Sequence, residues 1–283
     1  MQFDASSKTC VKFIPKLTLM LAKIKALFFP NAKITGSNYA IMVAFQIIAA
    51  LAFWMFSKSE LLPNPLEIIN AVSRLASTDG LIQELMTSTF LSLQAMLIAI
   101  VISLIISYAT VLPFFRPLGF LVSKGRFLTL VGLSFVFTLM TSNGHQLKVS
   151  LLVFGITVFF VTSMINVIHS IPKYAFNHAR TLRMSEWQVV WEVIILGTFD
   201  QVFEVIRQNF AISWMMLTMV EGISRSEGGI GTMLLNQNKH FHLDAVFAIQ
   251  LVILAMGIFL DWLIGKLKMI FCPYAHIALE VKD

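Results

Sequence analysis

Long uncharged stretches of mostly apolar residues recur along the chain from about residue 34 to residue 260. A helix that spans the hydrocarbon core of a membrane needs about 20 such residues. Four stretches without Asp, Glu, Lys or Arg reach this length, and two shorter ones approach it. They are 34–57, 85–115, 127–147 and 149–172, with the shorter ones at 208–220 and 245–260. The pattern therefore predicts an all-α protein that crosses a membrane several times.

We predict about six membrane-spanning helices, because the two shorter stretches extend over nearby charges. Glu204 and Arg207 stand three residues apart, so they share a helix face and can pair. Asp244 and Asp261 fall near the two membrane surfaces. The predicted spans are about 39–57, 86–111, 125–142, 148–170, 202–222 and 244–265.

The distribution of basic residues predicts the orientation of these spans. Cytoplasmic loops carry an excess of Lys and Arg, and most of the 21 Lys and Arg residues fall on one side when both termini are cytoplasmic. Residues 1–38 then form a basic cytoplasmic segment, which is either an amphipathic helix on the inner leaflet or a disordered tail. Residues 39–268 form the transmembrane domain, and 269–283 form a cytoplasmic tail.

The composition agrees with a membrane protein and excludes several other classes. Apolar residues make up 57% of the chain and charged residues 13%, about half of the roughly 25% charged residues in soluble proteins. The topology accounts for the net charge of +6, so we predict no nucleic-acid partner. The sequence shows no metal-ligand spacing and no catalytic constellation at membrane depth. We therefore predict that the chain is not an enzyme and has no catalytic residues, cofactor or metal site.

Polar residues inside the predicted spans either line a solute path or join helices by hydrogen bonds. The candidates are Gln94, Asn166, His169, Asn209 and Glu221. Small residues on the second span are spaced four apart and share one face. They are Ala95, Ala99, Ser103 and Ser107. Such a face lets helix backbones approach closely, so we interpret it mainly as a packing seam, with pore lining as the alternative.

Two segments on the external side carry helix and turn signals. Asn64 and Glu67 fit the cap and the third position of a helix that follows the first span. Between the fifth and sixth spans, Gly228, Gly229 and Gly231 predict a tight turn or a re-entrant bend.

The cytoplasmic connection 171–201 is amphipathic and does not resemble a flexible linker. Pro172 fits the start of a helix. Apolar residues then recur at helical spacing, at Tyr174, Ala175, Ala179 and Leu182. The pattern predicts either a docking element for a soluble partner or a helix that lies on the membrane surface.

This connection resembles the cytoplasmic signature loop of bacterial ABC importer permeases, whose pattern is roughly E-A-A-x-x-L-G-A-S. Residues 177–185 read NHARTLRMS and align with it, and Leu196-Gly197 stands where the family has Leu-Pro. Within the superfamily, the chain resembles the nitrate/sulfonate/taurine/bicarbonate branch over about 58–268. The supporting features are Leu62-Pro63-x-Pro65, Gly80-Leu81 leading into Ser88, Glu221, Gly229-Ile230-Gly231 and Asp261.

The resemblance implies the ABC importer permease fold and a role in transport. Permeases of this family work as homodimers or heterodimers over two ATPase subunits in the bacterial inner membrane. An external binding protein delivers a small solute, which in this branch is nitrate, a sulfonate, taurine or a vitamin precursor. The chain contains no GxxxxGK[ST] string, so ATP hydrolysis belongs to a separate subunit. The alternative is a secondary transporter without an ATPase partner.

By the same resemblance, 174–188 is the coupling segment that contacts the ATPase. Its predicted contact residues are Tyr174, Asn177, His178, Ala179, Leu182, Arg183, Ser185 and Trp187. Asn177, His178 and Arg183 replace the Glu, the second Ala and the Gly of the family pattern. The Gly permits a sharp turn, whereas a residue with a Cβ adopts a positive φ only at a cost. We therefore expect either a differently built turn or a helix that continues through Arg183.

Overall fold

The computed structural model describes residues 36–56, 63–225 and 227–273, and all regular structure in these ranges is helical. The prediction of an all-α protein is confirmed. Nearly all of the basic segment 1–38 and most of the tail 269–283 lie outside the described residues. The interfacial helix expected near the amino terminus therefore stays a prediction.

The chain divides into two units, the first of which ends at Leu62. The described helix of this first unit, α1 (Gly36–Phe56), is 21 residues long and uncharged, which agrees with the predicted first span. The exposed side chains of Phe45 and Phe53 suit contact with lipid.

The second unit begins at Pro63 and contains the other described helices. In chain order they are α2 (Pro65–Thr78), α3 (Leu81–Ala109), α4 (Arg116–Lys124), α5 (Leu130–Met140), α6 (Gly144–Ser170), α7 (Lys173–Thr181), α8 (Glu186–Val189), α9 (Phe199–Ile223), α10 (Ile230–Lys239) and α11 (Leu243–Phe271). Short 3₁₀ turns flank α4, and a π-helical segment (Val190–Leu196) joins α8 to α9.

The core of this unit lies between α3, α6 and α9, which pack along one another. Phe160 and Met164 of α6 are buried against Val202 and Val205 of α9. The small-residue face of α3 is also in the core. Ala95, Ala99, Ser103 and Ser107 are each 0% exposed. This face is therefore a packing seam within the chain.

The predicted third span differs from the structure. We expected one helix over 125–142, whereas α5 covers only Leu130–Met140, and the helical stretch Pro113–Phe127 meets it at 112°. The chain is extended at Thr129, whose hydroxyl accepts a hydrogen bond from Gly132 N–H at 3.4 Å and caps α5. The apolar pattern does not reveal this cap. At 1.5 Å per residue, α5 spans only about 16 Å, roughly half of a bilayer core.

Three helices of the described residues, α3, α6 and α11, are long and apolar enough to cross a membrane, or four when the bent pair ending in α5 counts as one span. α9 covers the predicted fifth span with 25 residues, but its polar and charged residues keep it outside this group. The multi-span helical architecture is confirmed, and a count of six additionally requires α1 and α9.

α2 begins as the sequence predicts. The Glu67 carboxylate accepts hydrogen bonds from Asn64 N–H at 3.0 Å and from Asn64 Nδ2 at 3.2 Å. Its apolar side packs on α11, where Arg74 forms an ion pair with Asp244 at 2.9 Å. α2 is thus tied to the start of the last long helix.

The Glu204–Arg207 pair that we predicted is part of a longer chain of charges. Arg207 Nη1 lies 4.0 Å from Glu204, but Arg207 Nε donates to Asp261 of α11 at 2.7 Å. Glu204 accepts a hydrogen bond from Lys268 Nζ at 3.2 Å. These contacts join α9 to α11 through side chains that are all partly exposed.

Candidate functional site

The predicted coupling segment forms two short helices joined by a tight turn. Pro172 has the extended conformation of a helix cap, and α7 begins at the next residue. Ala179 is buried on the inner side of α7, at 4% exposed. The other predicted contact residues are exposed, namely Tyr174, Asn177, His178, Leu182, Arg183, Ser185 and Trp187. The segment therefore presents almost all of its predicted contact residues to solvent.

The turn between α7 and α8 corrects our expectation about Arg183. Arg183 has a φ of +58°, so it adopts the left-handed conformation that a glycine usually takes. Arg183 N–H donates to Arg180 O at 2.9 Å, and Met184 N–H donates to Ala179 O at 3.4 Å. These two bonds form a Schellman motif, which ends the helix sharply. The helix does not continue, and the turn is not built differently from one containing Gly.

Side chains on both sides of this turn hold α8 in place. The Ser185 hydroxyl accepts a hydrogen bond from Gln188 N–H at 3.4 Å, and Gln188 Oε1 accepts one from Ser185 N–H at 2.8 Å. This reciprocal capping box satisfies amides at the start of α8. Arg180 reaches Glu186 through two hydrogen bonds of 3.1 and 3.2 Å, so it connects the end of α7 to the start of α8.

The Arg180–Glu186 pair is exposed, and its electrostatics have a clear direction. The hydrogen bond and the charge of Arg180 hold the pKa of the Glu186 carboxyl below its ordinary value. A lowered pKa means that the ionised pair contributes at neutral pH and is lost only when the pH falls through that lowered value.

A cavity of about 470 Å³ lies beside α7. Tyr174 and His178 of α7 line it together with Leu182, which directly follows α7. Glu192 of the π-helical segment and Gln201 of α9 complete the lining. Tyr174 and Leu182 are at the same time exposed to solvent. The α7–α8 element therefore offers a partner both an apolar surface and a recess.

At the opposite end of the bundle, a buried polar cluster surrounds the predicted glycine turn. Glu221 of α9 is 0% exposed, and its carboxylate accepts hydrogen bonds from Ser88 Oγ at 2.5 Å and from Gly231 N–H at 2.7 Å. Lys148 of α6 is 2% exposed and donates to Gly228 O at 2.8 Å. The Gly229 N–H donates to the Glu84 carboxylate. Side chains from α3, α6 and α9 thus converge on one turn.

The glycines of this turn are required for two different physical reasons. Gly228 and Gly229 have φ values of +70° and +112°, which residues with a Cβ rarely adopt. Gly231 has ordinary backbone angles, but a Cβ there would lie 2.5 Å from the carbonyl oxygen of Thr218. The close approach lets the start of α10 pack directly on α9.

The other polar candidates lie in three separate places. Gln94 is half-buried and lies 3.2 Å from His145 of α6. Asn209 is buried and donates to Val205 O of its own helix at 2.8 Å. Asn166 and His169 lie exposed near the carboxyl end of α6. The structure places Glu221 directly at the glycine turn. Gln94 reaches the turn only through His145, whose Nδ1 lies 3.4 Å from the carboxylate of Glu227. Asn166, His169 and Asn209 make no contact of this kind among the described residues.

Comparison with known proteins identifies the architecture. No protein-family model matches the sequence, and no curated protein matches it. Among solved structures, the fold resembles a chain in the crystal structure of an amino acid ABC transporter with histidines. The TM-score is 0.57 at 17% sequence identity, and the match covers 70% of this chain and 95% of that chain. The chain has an ABC transporter permease fold.

The chain is therefore a multi-pass membrane protein, as the apolar stretches predict. The resemblance to ABC importer permeases is confirmed at the level of the fold. The structural likeness does not single out the nitrate/sulfonate/taurine/bicarbonate branch.

Sequence reasoning missed the contribution of Lys148 to the buried polar cluster around the glycine turn. This residue did not stand out in the sequence analysis. It is, however, the single charged residue between 127 and 172. An isolated lysine in so long an apolar stretch indicates a buried charge with a specific partner. Its partner Gly228 lies 80 residues away in sequence, so spacing alone could not identify the pair.

Proposed function

We propose that the chain is the permease subunit of an ATP-driven ABC importer. Two copies, or one copy and a related chain, form the transmembrane path in a bacterial inner membrane. Separate ATPase subunits bind the cytoplasmic face through 174–188, and an external binding protein delivers a small solute. The ABC permease fold and the surface of the α7–α8 element support this proposal.

One observation carries the proposal. A hydrogen-bonded helical element presents large apolar side chains on the side predicted to be cytoplasmic. Tyr174, Leu182 and Trp187 are 74%, 58% and 71% exposed. Apolar side chains on an ordered, polar-rimmed element are typical of a protein contact, and aromatic residues often dominate the binding energy of such contacts.

The position of this element suits the transmission of force. α8 leads directly into the π-helical segment, and a turn at Gly197 and Thr198 joins that segment to α9. The Tyr108 hydroxyl of α3 lies 3.5 Å from the Thr198 hydroxyl in this turn. The other end of α9 holds the external glycine turn through Glu221. In the proposed mechanism, movement of the ATPase displaces α7 and α8, and α9 carries this displacement to the external side.

The solute is small, and two observations favour different classes. The sequence resemblance favours nitrate, a sulfonate, taurine or a vitamin precursor. The structural neighbour is an amino acid transporter, which favours an amino acid as the second candidate. Mass spectrometry of the solute that remains on a co-purified binding protein distinguishes them.

The test is purification of the tagged chain from native membranes in mild detergent. We expect the wild-type chain to recover an ATPase that contains a P-loop. Trp187→Ala should reduce this recovery at least about ten-fold, as for a central aromatic contact residue. Trp262→Ala on α11 is the matched control, because Trp262 is 56% exposed and lies outside the α7–α8 surface.

Two results would contradict the proposal. If no ATPase is recovered with a folded wild-type chain, a secondary transporter becomes the better explanation. If the two tryptophan variants recover the ATPase equally well, the contact lies elsewhere on the permease.

A further inference from the structure

Two adjoining cavities open on the side of the bundle that the basic residues mark as cytoplasmic. Their volumes are about 260 and 460 Å³, and both are lined by Thr110, Arg116 and His169. Ser123 and Asn166 add polar groups to the smaller cavity. We call the two cavities together the Arg116 groove.

Close packing of α4 shapes this groove. Gly119 is buried, and a Cβ at this position would lie 3.2 Å from Ile165 Cδ1 of α6 and would collide with the side chain of Thr110. The absence of a side chain lets α4 lie directly against the ends of α3 and α6. Arg116 at the start of α4 and His169 in the last turn of α6 therefore face the same space.

The groove is electropositive. The Arg116 guanidinium is charged at every physiological pH, and His169 adds an imidazole. No carboxylate lines the groove, and Arg116 forms no salt bridge within 63–225 and 227–273. Lys124 and Arg126 follow on the same helical stretch. A guanidinium with neighbouring amide and imidazole groups suits the recognition of a phosphate.

Large apolar side chains accompany these basic residues. Phe114, Phe120 and Leu121 are 84%, 64% and 69% exposed, and Phe120 also lines the smaller cavity. The stretch Pro113–Phe127 that carries them is turned by 112° from α5. A soluble anion would leave these apolar side chains uncovered, whereas acyl chains would cover them. The mixture of basic and apolar side chains is typical of a helix at the membrane interface.

We infer that the Arg116 groove binds the phosphate group of an anionic phospholipid from the cytoplasmic leaflet. The phosphate oxygens accept hydrogen bonds from Arg116 and from Asn166 Nδ2, and His169 contributes a further donor. Anionic lipids give this leaflet its negative surface potential, and basic pockets between membrane helices recognise their headgroups. The inference does not depend on the proposed ATPase coupling.

The larger cavity gives this lipid a structural consequence. It is also lined by Phe176 of α7 and Ile194 of the π-helical segment. A lipid in the groove therefore contacts both the helix that precedes the α7–α8 turn and the segment that follows it. Binding would steady the position of the whole connection between α6 and α9.

The test uses the purified full-length chain in detergent and native mass spectrometry with added phosphatidylglycerol or phosphatidylcholine. We expect the wild-type chain to retain phosphatidylglycerol in preference to phosphatidylcholine. Arg116→Gln should weaken this retention about five-fold or more, as expected for the loss of one basic contact near a lipid surface. Lys239→Gln is the matched control, because Lys239 is an exposed cation on the side predicted to be external, and its substitution should leave retention unchanged.

Three outcomes would overturn the inference. The first is equal retention of phosphatidylglycerol by wild type and Arg116→Gln, and the second is equal retention of the two lipids by wild type. The third is full displacement of phosphatidylglycerol by millimolar inorganic phosphate, which would assign the groove to a free anion. If Arg116→Gln does not fold, His169→Gln replaces it, with weaker retention expected and unchanged retention counting against the lipid site.

Discussion

Arg183 holds a backbone conformation that costs a residue with a Cβ roughly 1–2 kcal/mol. Two backbone hydrogen bonds of the Schellman motif and the Arg180–Glu186 pair surround it. These contacts stabilise the turn from both sides, so an unfavourable residue is tolerated in the middle. The shape of the turn is therefore set by its hydrogen bonds more than by the identity of residue 183.

Substitution of Arg183 tests this explanation. Arg183→Gly should leave stability unchanged or raise it by up to about 1 kcal/mol, because relief of strain is partly offset by the greater freedom of Gly in the unfolded chain. Arg183→Val should lower stability by about 1–2 kcal/mol, since β-branching disfavours positive φ further. Thermal unfolding in detergent measures both. Thr181→Gly is the control, because Thr181 lies within the helix and glycine there should lower stability. A higher melting temperature for Arg183→Val than for the wild-type chain would contradict the explanation.

Within the buried polar cluster around the glycine turn, substitution of Glu221 should lower stability the most. Glu221→Ala removes the acceptor for Ser88 Oγ and Gly231 N–H, and each unsatisfied buried group costs about 1–3 kcal/mol. We expect a loss of about 2–5 kcal/mol, and a smaller loss for Glu221→Gln, which keeps one oxygen. Glu227→Ala is the control, because this side chain is 43% exposed. Equal melting temperatures for Glu221→Ala and Glu227→Ala would refute the structural role.

At the scale of whole elements, the contact between α9 and α10 depends on one missing side chain. Gly231→Ala would place a Cβ 2.5 Å from Thr218 O, and this clash should push α10 away from α9 at a cost of about 1–3 kcal/mol. Gly265→Ala on α11 meets nothing within 4 Å and should be neutral or stabilising. Thermal unfolding of the two variants compares them directly; a Gly231→Ala protein as stable as Gly265→Ala would disprove the close contact.

The coupling role of α7 requires an intact helix. Thr181→Pro removes an amide donor in the last turn of α7 and should abolish uptake while membrane insertion is retained. Lys173→Pro is the matched control, because the first helical position tolerates proline. Uptake of labelled solute and the amount of inserted chain are measured together. Normal uptake by Thr181→Pro would exclude 174–188 as the coupling segment.

The elements differ in how far the sequence determines them. α3 and α6 follow from uncharged stretches, and α2 follows from its capping residues. The late start of the third span at Leu130 does not follow, because the Thr129 cap lies inside a mostly apolar pattern. At the site, the helical spacing predicts the helix that begins after Pro172, whereas the Arg183 conformation and the Lys148–Gly228 contact arise from hydrogen bonds that spacing does not encode.

At the scale of the whole molecule, the orientation predicted from basic residues can be tested by cysteine labelling. In a Cys10→Ser, Cys272→Ser background, Lys239→Cys should react with a membrane-impermeant maleimide added to intact cells or spheroplasts. Lys173→Cys should react only after the membrane is opened. The reason is that the predicted spans place 173 on the cytoplasmic side and 239 on the external side. Labelling of both positions from the same side would contradict the topology.

The shortness of α5 also has an electrical consequence. Its 11 residues cover about 16 Å, whereas the surrounding hydrocarbon is about 30 Å thick. In the transporter proposed above, water at both ends of α5 would confine the voltage drop to this shorter distance. The local electric field is then about twice that across the neighbouring lipid, since field is voltage divided by distance. A charged solute that moves past α5 would accordingly cross the membrane potential within a few helical turns.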